Sequence, residues 1–117
     1  MKKKEIPEMT AAFLERVAHR FKVLGEPARL RLVYRLMEGE KTVGTLVDET
    51  GLNQANASRH LQSLVQAGLL QRRKEGNFVY YGIQDSTVYD LCDLVCGSLK
   101  AQHEKELGIF SQRGGES

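Results

Sequence analysis

Apolar residues recur at helical spacing along most of the chain, and their pattern predicts five helices. The first helix, over roughly residues 8–23, is indicated by apolar side chains at every fourth position, namely Met9, Phe13, Val17 and Phe21. Gly25 ends it, and Pro27 suits the first turn of the second helix because its missing N–H would have no partner there. The second helix ends at Gly39 and carries an apolar stripe consisting of Leu30, Val33, Tyr34 and Met37.

Two further helices follow in close succession. Thr42 is the predicted N-cap of a short third helix that ends at Gly51, and Asn53 is the predicted N-cap of a fourth helix that ends at Gly68. Both helices have apolar positions that can pack together, namely Val43, Leu46, Val47, Leu52, Ala57, Leu61 and Leu64. Two helices joined by a tight turn form a helix-turn-helix. An ordinary αα-hairpin of a small bundle gives the same pattern, so both interpretations stay open here.

The pattern changes after the fourth helix. The segments LLQRRK and FVYYGI are β-prone and flank EGN, which can turn, so they predict a β-hairpin. Asp85 or Ser86 then caps a last helix that reaches about Leu107, a length of roughly 20 residues and 30 Å. One side of this helix is apolar and consists of Val88, Leu91, Cys92, Val95, Cys96 and Leu99. The predicted fold class is mainly α with a small β-hairpin.

Length and composition restrict the kind of protein. The 117 residues fit one domain, predicted over residues 8–107, with a disordered basic N-terminus over 1–7 and a flexible tail over 108–117. No run of about 18 apolar residues exists, so no membrane partner is expected. The start of the chain lacks the apolar stretch of a secretory signal, and the chain has only two cysteines, which together indicate a reducing cytoplasm. No glycine-rich phosphate loop or catalytic pattern is present, so no enzyme is expected.

Charge is distributed unevenly along the chain. Residues 53–82 contain four basic residues and one acidic residue, whereas residues 84–107 contain five acidic residues and two basic ones. A basic middle and an acidic end suggest that one face meets a polyanion, although charges also keep ordinary surfaces hydrated.

The outward side of the fourth helix is the strongest functional signal. Its first two turns carry short or flat polar groups and one arginine, namely Gln54, Ala55, Asn56, Ser58 and Arg59, and residues 53–71 contain no acidic residue and no lysine. Such side chains can meet base edges in the major groove of double-stranded DNA. Arg59 can bond a guanine through two hydrogen bonds, Gln54 or Asn56 can pair with adenine, and Ala55 can touch a thymine methyl group.

The hairpin adds candidates for contacts with the DNA backbone. Arg72, Arg73 and Lys74 precede its tip and Asn77 lies in the turn, which is typical of a wing that positions a reading helix on DNA. Binding through such contacts would weaken steeply with salt. Thr42 and His60 are further backbone candidates, with packing as the alternative for His60. The three basic residues could instead only solvate an edge strand.

These segments resemble the ArsR/SmtB family of winged-helix repressors. The resemblance runs from about Phe21 to Leu99 and includes the segments FKVLGEPARLRLVYRL and TLVDETGLNQANASRHLQSLVQAGLLQRRKEGNFVYYGI. Its most specific part is the segment ASRHLQSLVQAGLL followed by the basic hairpin and VYYGI. It implies a winged helix-turn-helix homodimer joined through the first and last helices. It also implies repression by blocking a palindromic operator and release by an inducer. A winged helix used only for protein–protein contact is the alternative.

The family's two common metal sites are not matched. One uses cysteines in a motif like ELCVCDL, where this chain has TLVDET and no cysteine. The other would fall on Asp85, Thr87, Ser98 and Ala101. Of these four residues only Asp85 can bind zinc, and tight binding needs four ligands.

Cys92 and Cys96 remain as candidate sensing residues, with three hypotheses open. They can be small apolar residues of the dimer interface. They can bind a thiophilic metal or metalloid such as arsenite, with more ligands from the second subunit or from His103. They can also sense oxidants or reactive sulfur. A direct disulfide is disfavoured, because Cβ atoms at this spacing lie about 5–6 Å apart and a disulfide needs about 3.8 Å.

Overall fold

The computed structural model describes residues 8–113, and the side chains through residue 108. The elements in chain order are α1 (Ala11–Leu24), α2 (Pro27–Leu36), β1 (Lys41–Thr42), α3 (Val43–Thr50), α4 (Gln54–Gln66), β2 (Leu70–Glu75), β3 (Phe78–Ile83) and α5 (Thr87–Arg113). The predicted class, mainly helical with a small β-hairpin, is confirmed. The chain forms two compact units that divide after Gln84. The first unit contains α1 to β3 and the second contains α5.

Capping side chains fix where the helices of the first unit begin. The Thr42 hydroxyl accepts a hydrogen bond from the Thr45 backbone N–H at 3.2 Å, and the Asn53 side chain accepts one from the Asn56 N–H at 2.8 Å. Both predicted N-caps are therefore confirmed. Thr10 caps the first helix in the same way, so α1 begins later than the sequence predicted.

The turn between α3 and α4 depends on a glycine in the left-handed region. Gly51 has φ 78° and its N–H donates to the Val47 carbonyl at 3.0 Å, which closes the last turn of α3. The Thr50 hydroxyl donates to the Leu46 carbonyl at 2.6 Å and accepts from the Leu52 N–H at 3.3 Å. These bonds satisfy the backbone groups that the end of α3 exposes, so α4 can follow after a short connection.

The core lies between α2, α3 and α4. Its most buried side chains are Leu32, Val33, Leu36, Leu46, Ala57, Leu61, Leu64 and Leu69. The apolar stripe predicted for α2 is wrong in part, because Leu30 and Tyr34 are 40% and 67% exposed. The leucine-rich sequence of α2 offers two possible buried sides, and the core uses the one that contains Leu32 and Leu36.

The sheet is antiparallel and has β3 in its centre, between β1 and β2. The strand β1 was not predicted, because two residues are too short to produce an alternating pattern. Glu75 pairs with Phe78 at the end of β2, so the turn consists of Gly76 and Asn77 only. Arg72 pairs with Tyr81 and Arg73 pairs with Tyr80. Successive side chains of a strand alternate between its faces, so Arg72 and Arg73 point to opposite faces of the sheet.

The helix α5 has 27 residues and reaches Arg113, beyond the predicted end near Leu107. Asp85 precedes it and accepts hydrogen bonds from the Thr87 backbone N–H at 3.0 Å and hydroxyl at 2.6 Å, as expected for a residue at the helix start. Residues 108–113 are thus helical rather than irregular. The tails predicted over 1–7 and 114–117 lie outside the described residues. None of the helices described has the length and apolar character needed to cross a membrane.

Candidate nucleic-acid interface

The five predicted base-reading residues share the outward side of α4. Ala57, Leu61 and Leu64 bury the opposite side of the helix in the core. This leaves Gln54, Ala55 and Arg59 exposed and Asn56 and Ser58 half-buried. The helical period thus presents one continuous polar surface over the first two turns of α4.

Two of these residues form a pair. An Arg59 guanidinium nitrogen donates to the Asn56 side-chain oxygen at 2.9 Å, and the Asn56 backbone N–H is already held by Asn53. The pair orients the guanidinium before any ligand is present. An arginine in this arrangement retains donors for the two acceptors of a guanine edge. Gln54 at the start of the helix is exposed and suits an adenine edge.

His60 is held within the first unit. Its Nδ1 accepts from Arg29 Nε at 3.3 Å, and Arg29 also donates to the Val23 carbonyl at 3.1 Å. Burial lowers the pKa of His60, and the positive charges of Arg29 and Arg59 lower it further. The ring is therefore neutral at pH 7, so a contact with phosphate could come only from its Nε2–H, without a positive charge.

The basic residues of β2 divide between the two faces of the sheet. Arg72 lies on the face toward α4, where a groove of about 500 Å³ is lined by Ser58, Gln62, Val65, Gln66, Arg72 and Tyr81. By alternation Lys74 lies on the same face as Arg72 and is exposed. The structure thus brings one wing arginine and one candidate reading residue, Ser58, to the same groove.

Arg73 points to the other face and is occupied by acidic partners. Its Nη2 donates to Glu40 Oε1 at 2.8 Å, its Nε lies 3.2 Å from the same oxygen, and its Nη1 contacts Glu75. Its guanidinium carbon also lies 4.9 Å from the centre of the Tyr80 ring. The hydrogen bonds that Arg73 donates to Glu40 and Glu75 raise the pKa of Arg73, and the bond that Glu40 accepts from Arg73 lowers the pKa of Glu40. The contact with Glu40 was not predicted, since it depends on strand pairing with the unpredicted β1.

The remaining backbone candidates occupy the ends of elements. Asn77 is exposed in the hairpin turn, next to Gly76, whose φ is 62°. Thr42 is half-buried and uses its hydroxyl to cap α3.

The two cysteines are free thiols on α5. Cys92 is partly buried and Cys96 is exposed. Burial raises the pKa of Cys92, and the neighbouring Cys96 and Asp93 raise it further, so Cys92 carries less thiolate at neutral pH. Val95 and Leu99 are at least half exposed and His103 is exposed, so much of the predicted apolar side of α5 is uncovered in the single chain. No group of three or more His, Cys, Asp or Glu residues suited to a metal ion occurs in the part of the chain that is described.

Comparison with known proteins identifies the family. The model of the family "bacterial regulatory protein, arsR family" matches residues 26–72. The chain is 34% identical over 110 residues to a probable mercury resistance operon repressor of Streptomyces lividans, covering 94% of this chain and 82% of that protein.

Two solved structures are similar over most of the chain. One is the homodimeric winged helix-turn-helix DNA-binding domain of a possible ArsR-family regulator from Mycobacterium bovis, with 34% identity, 86% and 91% coverage of the two chains and a TM-score of 0.72. Another is the antimony-specific transcriptional repressor AntR, with 27% identity, 86% and 92% coverage and a TM-score of 0.75. The chain therefore belongs to the ArsR family of winged helix-turn-helix proteins, which are DNA-binding transcriptional regulators and not enzymes.

Proposed function

We propose that the protein is a transcriptional repressor that binds a palindromic DNA operator as a homodimer and is released by an inducer. The observation that carries the proposal is the surface shared by α4 and the wing in the first unit. Polar side chains without an acidic residue cover the outward side of α4, and Arg72 adjoins them across the groove. Phosphate is attracted to such a surface and base edges can be read by it.

The proposed contacts follow from the positions of the side chains. Arg59, oriented by Asn56, bonds a guanine, while Gln54 pairs with adenine and Ala55 touches a thymine methyl group. Ser58 faces the base edges on the same side of α4. Backbone phosphates are contacted by the wing residues that point toward α4 or lie at the tip of the hairpin, namely Arg72, Lys74 and Asn77. Each phosphate neutralised by a basic side chain makes binding weaken further with salt.

The proposed dimer is supported by uncovered apolar side chains on two helices. Phe13, Leu14 and Phe21 are exposed on α1, and Leu94 and Leu99 are exposed on α5. A second copy of the chain would remove these side chains from water. A two-fold dimer would then present two copies of α4 to successive major grooves, about 34–36 Å apart.

The proposed inducer site contains Cys92 and Cys96, in the reducing cytoplasm. Thiolates one helical turn apart suit a thiophilic metal or metalloid. The relatives whose names refer to mercury and antimony support this chemistry. The described residues of one chain supply two thiols with His103 on the same helix, so a three-coordinate ion could be held by one chain, whereas a four-coordinate ion would draw on both subunits. Reactive sulfur is the other candidate, and a purely structural role of both cysteines is the alternative.

A DNA-binding titration tests the proposal. A duplex selected from a random pool by the wild type should bind far more tightly than a random duplex, and both should weaken with salt. A winged helix used only for protein contact would show no salt-dependent binding to either duplex.

The same titration tests the inducer. Wild type and the double variant Cys92→Ser/Cys96→Ser should be compared with reductant, oxidant, a persulfide donor, arsenite, antimonite, mercury and zinc. One of these agents should weaken wild-type binding by about 5–150-fold, the usual range of allosteric coupling, and leave the double variant unchanged. An equal response of both proteins would contradict sensing at the cysteines.

A further inference from the structure

The outer face of the wing carries a connected set of charged and aromatic side chains. Arg73 of β2 reaches across β3 to Glu40, which precedes β1, and it lies over the ring of Tyr80 on the way. Both Glu40 oxygens take part, with Arg73 Nε 3.2 and 3.3 Å from them. The Glu75 carboxylate contacts the same guanidinium from the end of β2. The contacts thus join β2 and β3 to the residue that directly precedes β1.

A glycine makes room for this arrangement. Gly82 of β3 lies under the Glu40 side chain, and a Cβ atom built on it would come within 2.9 Å of Glu40 Cγ. That atom is near the backbone end of the side chain, so Glu40 could not avoid a methyl group without moving its carboxylate. Gly82 is buried and its φ is not positive, so its backbone conformation does not require a glycine. The close approach of the Glu40 side chain does require one.

An isolated ion pair on a surface contributes little to stability. This one differs because its guanidinium is held on several sides at once, by two carboxylates and by an aromatic ring. Planar arginine contacts of this kind fix direction as well as distance. Glu40 and Glu75 accept from three of the five N–H donors of this guanidinium and place two negative charges beside it, and these charges repel a phosphate.

We propose that Glu40, Arg73 and Gly82 form a brace that positions the wing for DNA, with Arg73 as a positioning residue and not a phosphate contact. The proposal rests on the proposed DNA-binding function. Glu40 lies two residues before Thr42, which caps α3 and so begins the helix-turn-helix. The brace therefore ties the hairpin to the start of the helix-turn-helix, and the wing and α4 meet DNA in one fixed geometry.

The variant Glu40→Gln distinguishes a bracing role of Arg73 from a phosphate contact, because the two roles predict opposite changes in DNA affinity. If Arg73 contacted phosphate, loss of the competing carboxylate would free the guanidinium and tighten DNA binding. A brace predicts weaker binding by about 2–10-fold, the cost of ordering one or two side chains or a short loop on binding. Asp48→Asn is the matched control, because it removes one exposed carboxylate from α3. Binding of that variant should stay equal or become tighter.

Gly82→Ala tests the brace without any change of charge. It should weaken binding to the selected duplex in the same direction as Glu40→Gln, at unchanged helical content by circular dichroism. If Gly82→Ala does not fold, Arg73→Lys takes its place, since it keeps the charge and loses the planar contacts. The proposal would be overturned if Glu40→Gln bound DNA more tightly than wild type. It would also be overturned if Gly82→Ala, or Arg73→Lys in its place, folded and bound DNA as tightly as wild type.

Hydrogen exchange of the free protein keeps the brace distinct from the DNA-binding proposal. The backbone amides that pair β2 with β3 should exchange faster in Glu40→Gln than in wild type and Asp48→Asn. A second outcome is that the wild type binds DNA independently of salt or not at all, while Glu40→Gln still exchanges faster than wild type. That result would support the brace and contradict the DNA-binding function. Unchanged exchange would overturn the brace whatever the DNA result.

Discussion

At the residue scale, a variant of Arg59 can distinguish sequence-specific binding of DNA from non-specific electrostatic attraction. Its guanidinium is oriented by the neutral side chain of Asn56, whereas that of Arg73 is occupied by acidic partners. Arg59→Ala should weaken binding to the selected duplex by about 1–3 kcal/mol, because the proposed bidentate contact with guanine would be lost. Binding to a random duplex should change much less. A competition titration with both duplexes measures the two effects.

Arg72→Ala is the control for that measurement. A phosphate contact should be lost equally from every sequence, so this variant should weaken binding to both duplexes and reduce the salt slope by about 0.9. An equal loss on both duplexes for Arg59→Ala would instead make Arg59 a phosphate contact.

His60 makes the stability of the first unit depend on pH. Arg29, Arg59 and Glu26 are the charged groups that act on it, and burial is the largest effect on its pKa. The pKa of His60 in the folded protein lies below the usual 6.5. Between these two pH values the unfolded chain therefore binds a proton at His60 that the folded protein does not bind. The free energy of unfolding should therefore be unaffected by His60 above pH 6.5 and fall as the pH drops through the folded pKa.

Urea denaturation over a pH series measures this dependence. His60→Asn is the control, because its side-chain oxygen can replace Nδ1 as the acceptor for Arg29 and does not titrate. The wild type should lose more stability than this variant as the pH is lowered. Parallel curves for the two proteins would contradict the role of His60.

The residues that face outward from α4 could be predicted from sequence, because a helical period and a lack of acids are both local properties. The environment of Arg73 could not, because Glu40 lies 33 residues away and meets it only through strand pairing. The same holds for His60, whose partner Arg29 is 31 residues away. Residue types and periods are visible in a sequence, whereas the pairing of charges across elements requires the fold.

At the element scale, the connection from α3 to α4 depends on Gly51. An alanine there would have to keep φ near 78°, where its Cβ is strained although no other atom lies within 4 Å. Gly51→Ala should lower the free energy of unfolding by about 1–2 kcal/mol. Gly44→Ala, within α3, is the matched control and should raise it by up to about 1 kcal/mol, because Ala is the better helix former. Denaturant titration measures both, and a loss of equal size in the two variants would contradict the argument.

Two arginines connect α4 to the first two helices. Arg20 of α1 donates to the Ala67 carbonyl at the end of α4, at 3.2 Å, and Arg29 of α2 joins His60 to the end of α1. These bonds satisfy carbonyls that helix ends leave open. Arg20 thus connects the end of α4 to α1, the helix that carries part of the proposed dimer surface.

The sequence predicted the order of the long elements well and their details less well. Capping residues and glycines located the start of α3 and the ends of α3 and α4, since each acts on its own neighbours. The buried side of α2 was not located correctly, because Leu30 and Leu32 are the same residue type on different sides of the helix. The end of α5 was placed too early, because the helix continues through Gly108, where a glycine would ordinarily suggest an end. Burial depends on the partner of a helix, which a single pattern does not specify.

At the scale of the whole molecule, the proposed inducer site and the proposed dimer surface share the helix α5. A four-coordinate metal ion needs more ligands than the two thiols of α5 and His103 provide, so a second chain would have to contribute to such a site. Val95 and Leu99, which lie on the same side of the helix as the two cysteines, are 50% and 59% exposed, so the thiols would belong to a surface that a second copy could cover. A ligand there acts on the surface that would set the spacing of the two reading helices.

The dimer proposal makes a direct prediction for α5. Leu94→Glu places a charge on an exposed apolar position, which a dimer interface would bury without a partner, so the variant should be monomeric. Tyr34→Glu is the matched control, because it places the same charge on an exposed aromatic residue of α2 and should remain dimeric. Sedimentation equilibrium measures the mass of each variant. If Leu94→Glu were dimeric and Tyr34→Glu monomeric, the interface would lie on α2 and the proposal for α5 would be contradicted.

The consequence for DNA follows from bivalent binding. When one subunit of a dimer holds its half-site, the second is kept at a high local concentration near the other half-site, which increases affinity by about 10²–10⁴. Leu94→Glu should lose this factor on a palindromic duplex and keep the wild-type affinity for a single half-site, since Leu94 lies outside α4 and the wing. Titration of both duplexes measures the two effects, and an equal loss on both would mean that the variant disturbs the first unit instead of the dimer.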